Sequence, residues 1–163
     1  MNSNELAKKK IMNYAIWLSG ENDSFSKLHQ LIKSKNDRPF YPHLTILGQL
    51  KKSSIGLFEE ISYEHILLEI EELNYSDDFF KSTYLSLRKN EKLIQLAKQL
   101  QLSFNTNFQL DPHISLSYGS KISVEQSIIP SNIIADKLFL VQAESWKEIN
   151  SWVIIKKIHL KKK

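Results

Sequence analysis

The sequence has no cysteine in its 163 residues, and only four glycines, four prolines and five histidines. The missing thiols exclude every disulfide framework and every site built on a thiolate nucleophile or thiolate metal ligand. No apolar stretch approaches the roughly 20 residues that cross a bilayer, and no Pro- or Ser-rich linker or low-complexity tract interrupts the chain. The length also excludes a large multidomain enzyme, since domains most often run to about 100–150 residues. What is present is ordinary for a globular chain: 42% hydrophobic, 10% aromatic and 25% charged residues. One domain over residues 1–163 is therefore expected.

The net charge of +4 is unevenly spread. Lys8, Lys9 and Lys10 lie at one end, and Lys156, Lys157, Lys161, Lys162 and Lys163 at the other, so the body between them is close to neutral or slightly acidic. Residues 1–10 and 161–163 read as frayed basic tails, with a phosphate-binding patch as the other reading. The start imitates a signal peptide, with basic residues before Ile11–Leu18. Asn13 interrupts the apolar run, no small-x-small cleavage site follows, and the alternation of Tyr14, Ile16 and Leu18 is that of a half-buried strand. A soluble cytoplasmic monomer without a membrane partner is expected.

Periodicity predicts a strand over about 12–18 and a helix over about 24–34, with Ser24 as its N-cap. An alternating strand follows at about 41–48, a less regular stretch at 53–62, and β-rich segments at about 64–74 and 79–88. Asn90 is expected to cap a second helix ending near Leu102. A strand at 113–118, closed by Gly119, and two β-branched runs at about 133–144 and 150–160 complete the chain. Strands that arrive consecutively beside two helices argue for α+β architecture with largely antiparallel sheets.

Two segments seventy positions apart share one grammar: Pro42-His43-Leu44-Thr45-Ile46 and Pro112-His113-Ile114-Ser115-Leu116, each with a glycine soon after. A bare H-x-[ST] is a weak signal; a repeated five-residue unit is a strong one. In a strand, residues i and i+2 point to the same face, so each imidazole projects beside a hydroxyl while the aliphatic residues bury on the other side. Side by side at the floor of a cleft, two imidazoles and two hydroxyls suit a phosphodiester. A neutral imidazole takes a proton from water, an imidazolium gives one to the leaving alkoxide, and an unperturbed pKa of ~6.5 serves either role. Hydroxyls of Thr45 and Ser115 would donate to the non-bridging oxygens. The scheme needs no metal, and two histidines with two hydroxyls make a poor divalent site.

These residues resemble the twin H-x-[ST] motifs of the two-histidine (2H) phosphoesterase superfamily, and within it the cyclic phosphodiesterases that open nucleoside 2′,3′-cyclic phosphates and ADP-ribose 1″,2″-cyclic phosphate. The resemblance covers most of the chain, beginning with the Tyr14-Ala15-Ile16-Trp17 strand. It implies a bilobal α+β fold with pseudo-twofold symmetry around a central cleft, two mainly antiparallel sheets with flanking helices, and metal-independent hydrolysis without a cofactor. It implies that His43 and His113 divide acid and base work and that Thr45 and Ser115 hold the phosphate. Tyr118 matches a tyrosine that some members place at the phosphate, and Trp17 an aromatic near the base. Strict alternation sends Tyr118 to the far face of its strand, so only a bend before Gly119 turns it into the cleft.

The expected partner is a small cyclic-phosphate nucleotide. RNA ends or cyclic oligonucleotides are the alternative within the superfamily, and a non-catalytic RNA- or nucleotide-binding module is the alternative of another class. Arg38 and Lys10 are candidates for cationic help at a phosphate. His29, His65 and His159 lack a partner motif and read as structural.

Overall fold

A computed structural model describes residues 11–162. The expectations for residues 1–10, Lys10 among them, and for Lys163 lie outside the described residues. Within them the chain forms β1 (Asn13–Ser19), α1 (Asp23–Lys35), β2 (Leu44–Leu50), β3 (Ile66–Tyr75) and β4 (Thr83–Leu87). It continues with α2 (Glu91–Phe104), β5 (His113–Ser117), β6 (Asn132–Ala135), β7 (Lys137–Ala143) and β8 (Val153–His159). The strands make two antiparallel sheets of four, in the orders β2-β1-β7-β8 and β5-β4-β3-β6.

Each sheet holds the same unit: a strand, a helix, and a return strand that pairs antiparallel with the first. The units β1-α1-β2 and β4-α2-β5 each place a histidine motif on an edge strand, and those two edges approach one another at the centre. This is the bilobal, pseudo-twofold α+β fold that the resemblance implied. One contiguous apolar cluster, including Ile16, Leu18, Leu44, Ile46, Leu85, Ile114 and Leu116, runs through both lobes. The period of two appears in β1, whose Tyr14, Ile16 and Leu18 enter that cluster while Ala15 and Trp17 join Phe139 and Val141 on the opposite face.

Four local expectations are corrected. Asn22, not Ser24, caps α1: its backbone is extended and its Oδ1 accepts from the Phe25 N–H, which leaves Asp23 in the first turn against the positive helix end. Asn90 caps α2 as expected, accepting from the Leu93 N–H at 2.9 Å. Residues 79–81 are not strand but a 3₁₀ turn started by Asp78, whose carboxylate accepts from the Phe80 N–H at 2.8 Å. The run 133–144 is two strands in different sheets, because the chain crosses between lobes at Asp136. There the backbone N–H donates to Ser19 of one neighbour and the carbonyl accepts from Leu160 of another. Lys161 is not frayed: its carbonyl accepts from the His65 N–H and its N–H donates to Tyr63, both at 2.9 Å. Among the described residues no helix is long and apolar enough to cross a membrane.

Candidate active site

Between the motif strands lies a cleft of about 520 Å³, within the about 300–1,000 Å³ usual for small-molecule sites. His43 and His113 both line it, and both are held in the same way. His43 Nδ1–H donates to the Tyr41 carbonyl at 2.7 Å, and His113 Nδ1–H donates to the Asp111 carbonyl at 2.8 Å. A carbonyl only accepts, so the neutral rings carry their protons on Nδ1 and keep the Nε2 lone pairs free. The segment before His43 is fixed in turn by Ser19 Oγ–H, which donates to Pro42 at 2.7 Å, and by Tyr41 O–H, which donates to Gly20 at 2.7 Å.

Sheet register supplies each imidazole with an aromatic neighbour. Trp17 lies opposite Thr45 and Tyr84 opposite Ser115, which sets each ring diagonal to or beside its histidine. The outcomes differ. Trp17 stacks on His43 with centroids 3.5 Å apart and planes within 7°, and Trp152 meets His43 edge-on at 6.0 Å. Tyr84 meets His113 edge-on at 5.9 Å while Lys81 sits over the Tyr84 ring, 4.5 Å from its centroid. Burial pushes His43 down to about 3, against the hydrogen bond to Tyr41 and reinforced by the nearby His113. Burial also lowers His113, but the hydrogen bond to Asp111 and the Asp111 and Asp78 carboxylates oppose it, with Lys81 acting the other way.

Of the six residues expected at the site, Trp17, His43, Thr45, His113 and Tyr118 line the cleft. Thr45 is half-buried. Tyr118 turns in because β5 ends at Ser117 and Gly119 takes a φ of +79°, its N–H donating to Phe79 at 3.0 Å. Ser115 is buried behind the lining, and its hydroxyl donates to the Phe80 carbonyl at 2.6 Å. Burial raises the pKa of the Tyr118 hydroxyl, with the nearby Ser115 hydroxyl acting the other way. Trp17 is only 3% exposed and carries His43 on its face, so it has no free face for a base. Phe80, 36% exposed, is the accessible aromatic of the wall, and Phe108 packs against Gly48, where a Cβ would meet it at 2.8 Å.

Arg38 is exposed and does not line the cleft; the cation that does is Lys81, bonded to Asp111 Oδ2 at 3.0 Å. The sequence reading missed Lys81 because residues 79–81 imitate a strand. It missed Asp111 although that residue precedes the second motif at the place Tyr41 holds in the first. Trp152 carries no local signal: β8 and the turn before it bring it to Trp17, His43 and Tyr118. Its indole Nε1–H is buried with no acceptor. His29 packs on Tyr41, His65 on the strand edge and His159 beside Lys137, none of them in the cleft. Among the described residues no three His, Asp or Glu side chains gather as a metal-binding group.

No family model and no curated protein matches the chain. Solved structures do. A crystal structure of E. coli LigT complexed with ATP superposes with a TM-score of 0.63 at 15% identity, covering 94% of this chain and 99% of LigT. The same protein complexed with 3′-AMP gives 0.62 at 16%, covering 92% and 98%. A structure described as a phosphoesterase gives 0.64 at 15%, covering 93% and 99%. At such identities the likeness establishes the fold, over nearly the whole of each chain.

Proposed function

We propose that the protein hydrolyses a small cyclic phosphodiester, a nucleoside 2′,3′-cyclic phosphate or ADP-ribose 1″,2″-cyclic phosphate, by general acid-base catalysis between His43 and His113. The observation that carries this reading is the mirrored anchoring of the two imidazoles: each gives its Nδ1 proton to the carbonyl two residues upstream and keeps Nε2 for the cleft. Water attacks phosphorus in line, one imidazole takes its proton, and the other protonates the oxygen that leaves. Imidazole chemistry completes this cycle without a metal. Thr45 O–H and Lys81 line the cleft and are suited to the non-bridging oxygens, whose charge grows in the transition state. Ser115 joins them only by exchanging the Phe80 carbonyl for a phosphate oxygen. The crystal forms of LigT with ATP and with 3′-AMP support a nucleotide as the ligand class for this fold.

The test is phosphorus NMR on a 2′,3′-cyclic nucleotide with excess chelator. Conversion to a phosphomonoester that disappears in His43→Ala and His113→Ala is expected; no turnover, or turnover indifferent to both changes, ends the proposal.

One observation favours RNA ends as a second reading. A neighbouring hollow of about 840 Å³ shares Gln49 and Trp146 with the cleft and carries Lys51 and Lys52, the aromatic and basic pairing that single strands use. A cyclic-phosphate-ended oligonucleotide hydrolysed with higher kcat/KM than the mononucleotide, by a margin that shrinks with salt, would favour it.

A further inference from the structure

The acid-base reading leaves open which imidazole carries the proton, and the inference drawn here rests on that reading. The two rings are anchored alike at Nδ1, yet the anchoring residues have different side chains. Tyr41 sends its hydroxyl away to Gly20 and packs on His29 and Phe139, so nothing anionic from that residue returns to His43. His43 is instead enclosed by the Trp17 face and the Trp152 edge. Asp111 folds its carboxylate back, with Oδ2 3.6 Å from His113 Nδ1 and 3.0 Å from Lys81 Nζ.

We propose that Asp111 is a positioning residue that makes His113 the proton donor to the leaving oxygen and leaves His43 to accept the proton of the attacking water. An apolar enclosure disfavours the imidazolium, and an adjacent carboxylate favours it. The charged and titratable groups facing His113 are Asp111 and Asp78, which favour its charged form, and Lys81 and His43, which oppose it; the Tyr84 ring edge completes the surround. Among the described residues no carboxylate acts on His43, and the titratable group that does is His113. In the step itself, the bond from the water oxygen to phosphorus forms as the ring P–O bond breaks. The water proton passes to His43 Nε2, the proton on His113 Nε2 passes to the departing oxygen, and exchange with solvent resets both rings.

The experiment follows each imidazole by NMR through a pH titration of the full chain, beside the pH dependence of kcat/KM on a 2′,3′-cyclic nucleotide. His113 is expected to titrate above His43. Asp111→Asn is expected to move His113 down by about one pH unit with His43 unmoved, and to move the alkaline limb of kcat/KM down by the same amount. Asp111→Glu restores both. A purely structural role would lower activity at every pH and leave the limb in place, which overturns the proposal. A titration with His43 above His113, or an acid limb that moves in place of the alkaline one, overturns it as well. Absence of hydrolysis refutes the acid-base reading alone, since the NMR titration still decides whether Asp111 governs the proton on His113.

Discussion

The two halves of the cleft share a backbone plan and differ in what surrounds it. In each, a strand, a helix and an edge strand deliver Pro-His-aliphatic-hydroxyl to the centre, and the imidazole is tied to the carbonyl two residues back. In the first half the ring is pressed against Trp17 in an apolar enclosure, and Thr45 is left open to the cleft. In the second the ring is flanked by Asp111 and Lys81, and the hydroxyl of Ser115 is buried on Phe80. A duplicated motif thus yields two rings anchored alike and both disfavoured as cations by burial, with carboxylates countering that effect only at His113, and the difference comes from the neighbours that each lobe supplies.

The strongest test of the pairing is removal of either ring. His43→Ala and His113→Ala should each reduce hydrolysis by about 10²–10⁴-fold, with the double variant close to the weaker single one, because groups that act as a unit do not add. A single variant with near-normal turnover would show that the halves are not a catalytic pair. Next come the hydroxyls. Thr45→Val should lower kcat by about 10²-fold, as loss of one preorganised donor does. Ser115→Ala should act less on rate than on stability, by about 1–3 kcal/mol in a urea midpoint, since it leaves the Phe80 carbonyl without the hydroxyl that donates to it. Equal rate losses would mean that both hydroxyls meet the substrate alike.

Acid stability sharpens the contrast further. His43 is held down to about 3 in the fold against 6.5 in the open chain, so the unfolded chain binds the extra proton throughout that window. Stability contributed by the neutral ring is therefore complete above 6.5 and lost as pH falls towards 3. His43→Gln should flatten the dependence of melting temperature on pH in this range more than His113→Gln does. The smallest effect expected is that of Lys81→Met, a several-fold rise in KM that disappears at high ionic strength, because the lysine is a partly exposed point charge.

Much of this was legible in the chain because it depends on local spacing. The alternation of His43 and Thr45 with Leu44 and Ile46 is a property of any strand, and Ile46, Leu44, Ile114 and Leu116 are fully buried as that alternation requires. Asn90 was readable as a cap for the same local reason. The split at Asp136 was not, since a run of β-branched residues carries no mark of which sheet each half joins. Trp17 was recognisable as an aromatic of the site, but whether its face was free depended on cross-strand register that puts it under His43.

By itself the sequence determined the two motifs, their shared strand geometry, the imidazole and hydroxyl chemistry they offer, and the exclusion of thiol chemistry. Only the tertiary structure decided that Lys81, Asp111, Trp152 and Phe80 close around those motifs, that Arg38 stays outside, and that Ser115 lies behind the wall. The reason is physical: side-chain direction along one strand follows from the period of two, whereas charge, burial and aromatic contact at a ring are set by residues up to about a hundred positions away, which only folding brings within a few ångströms.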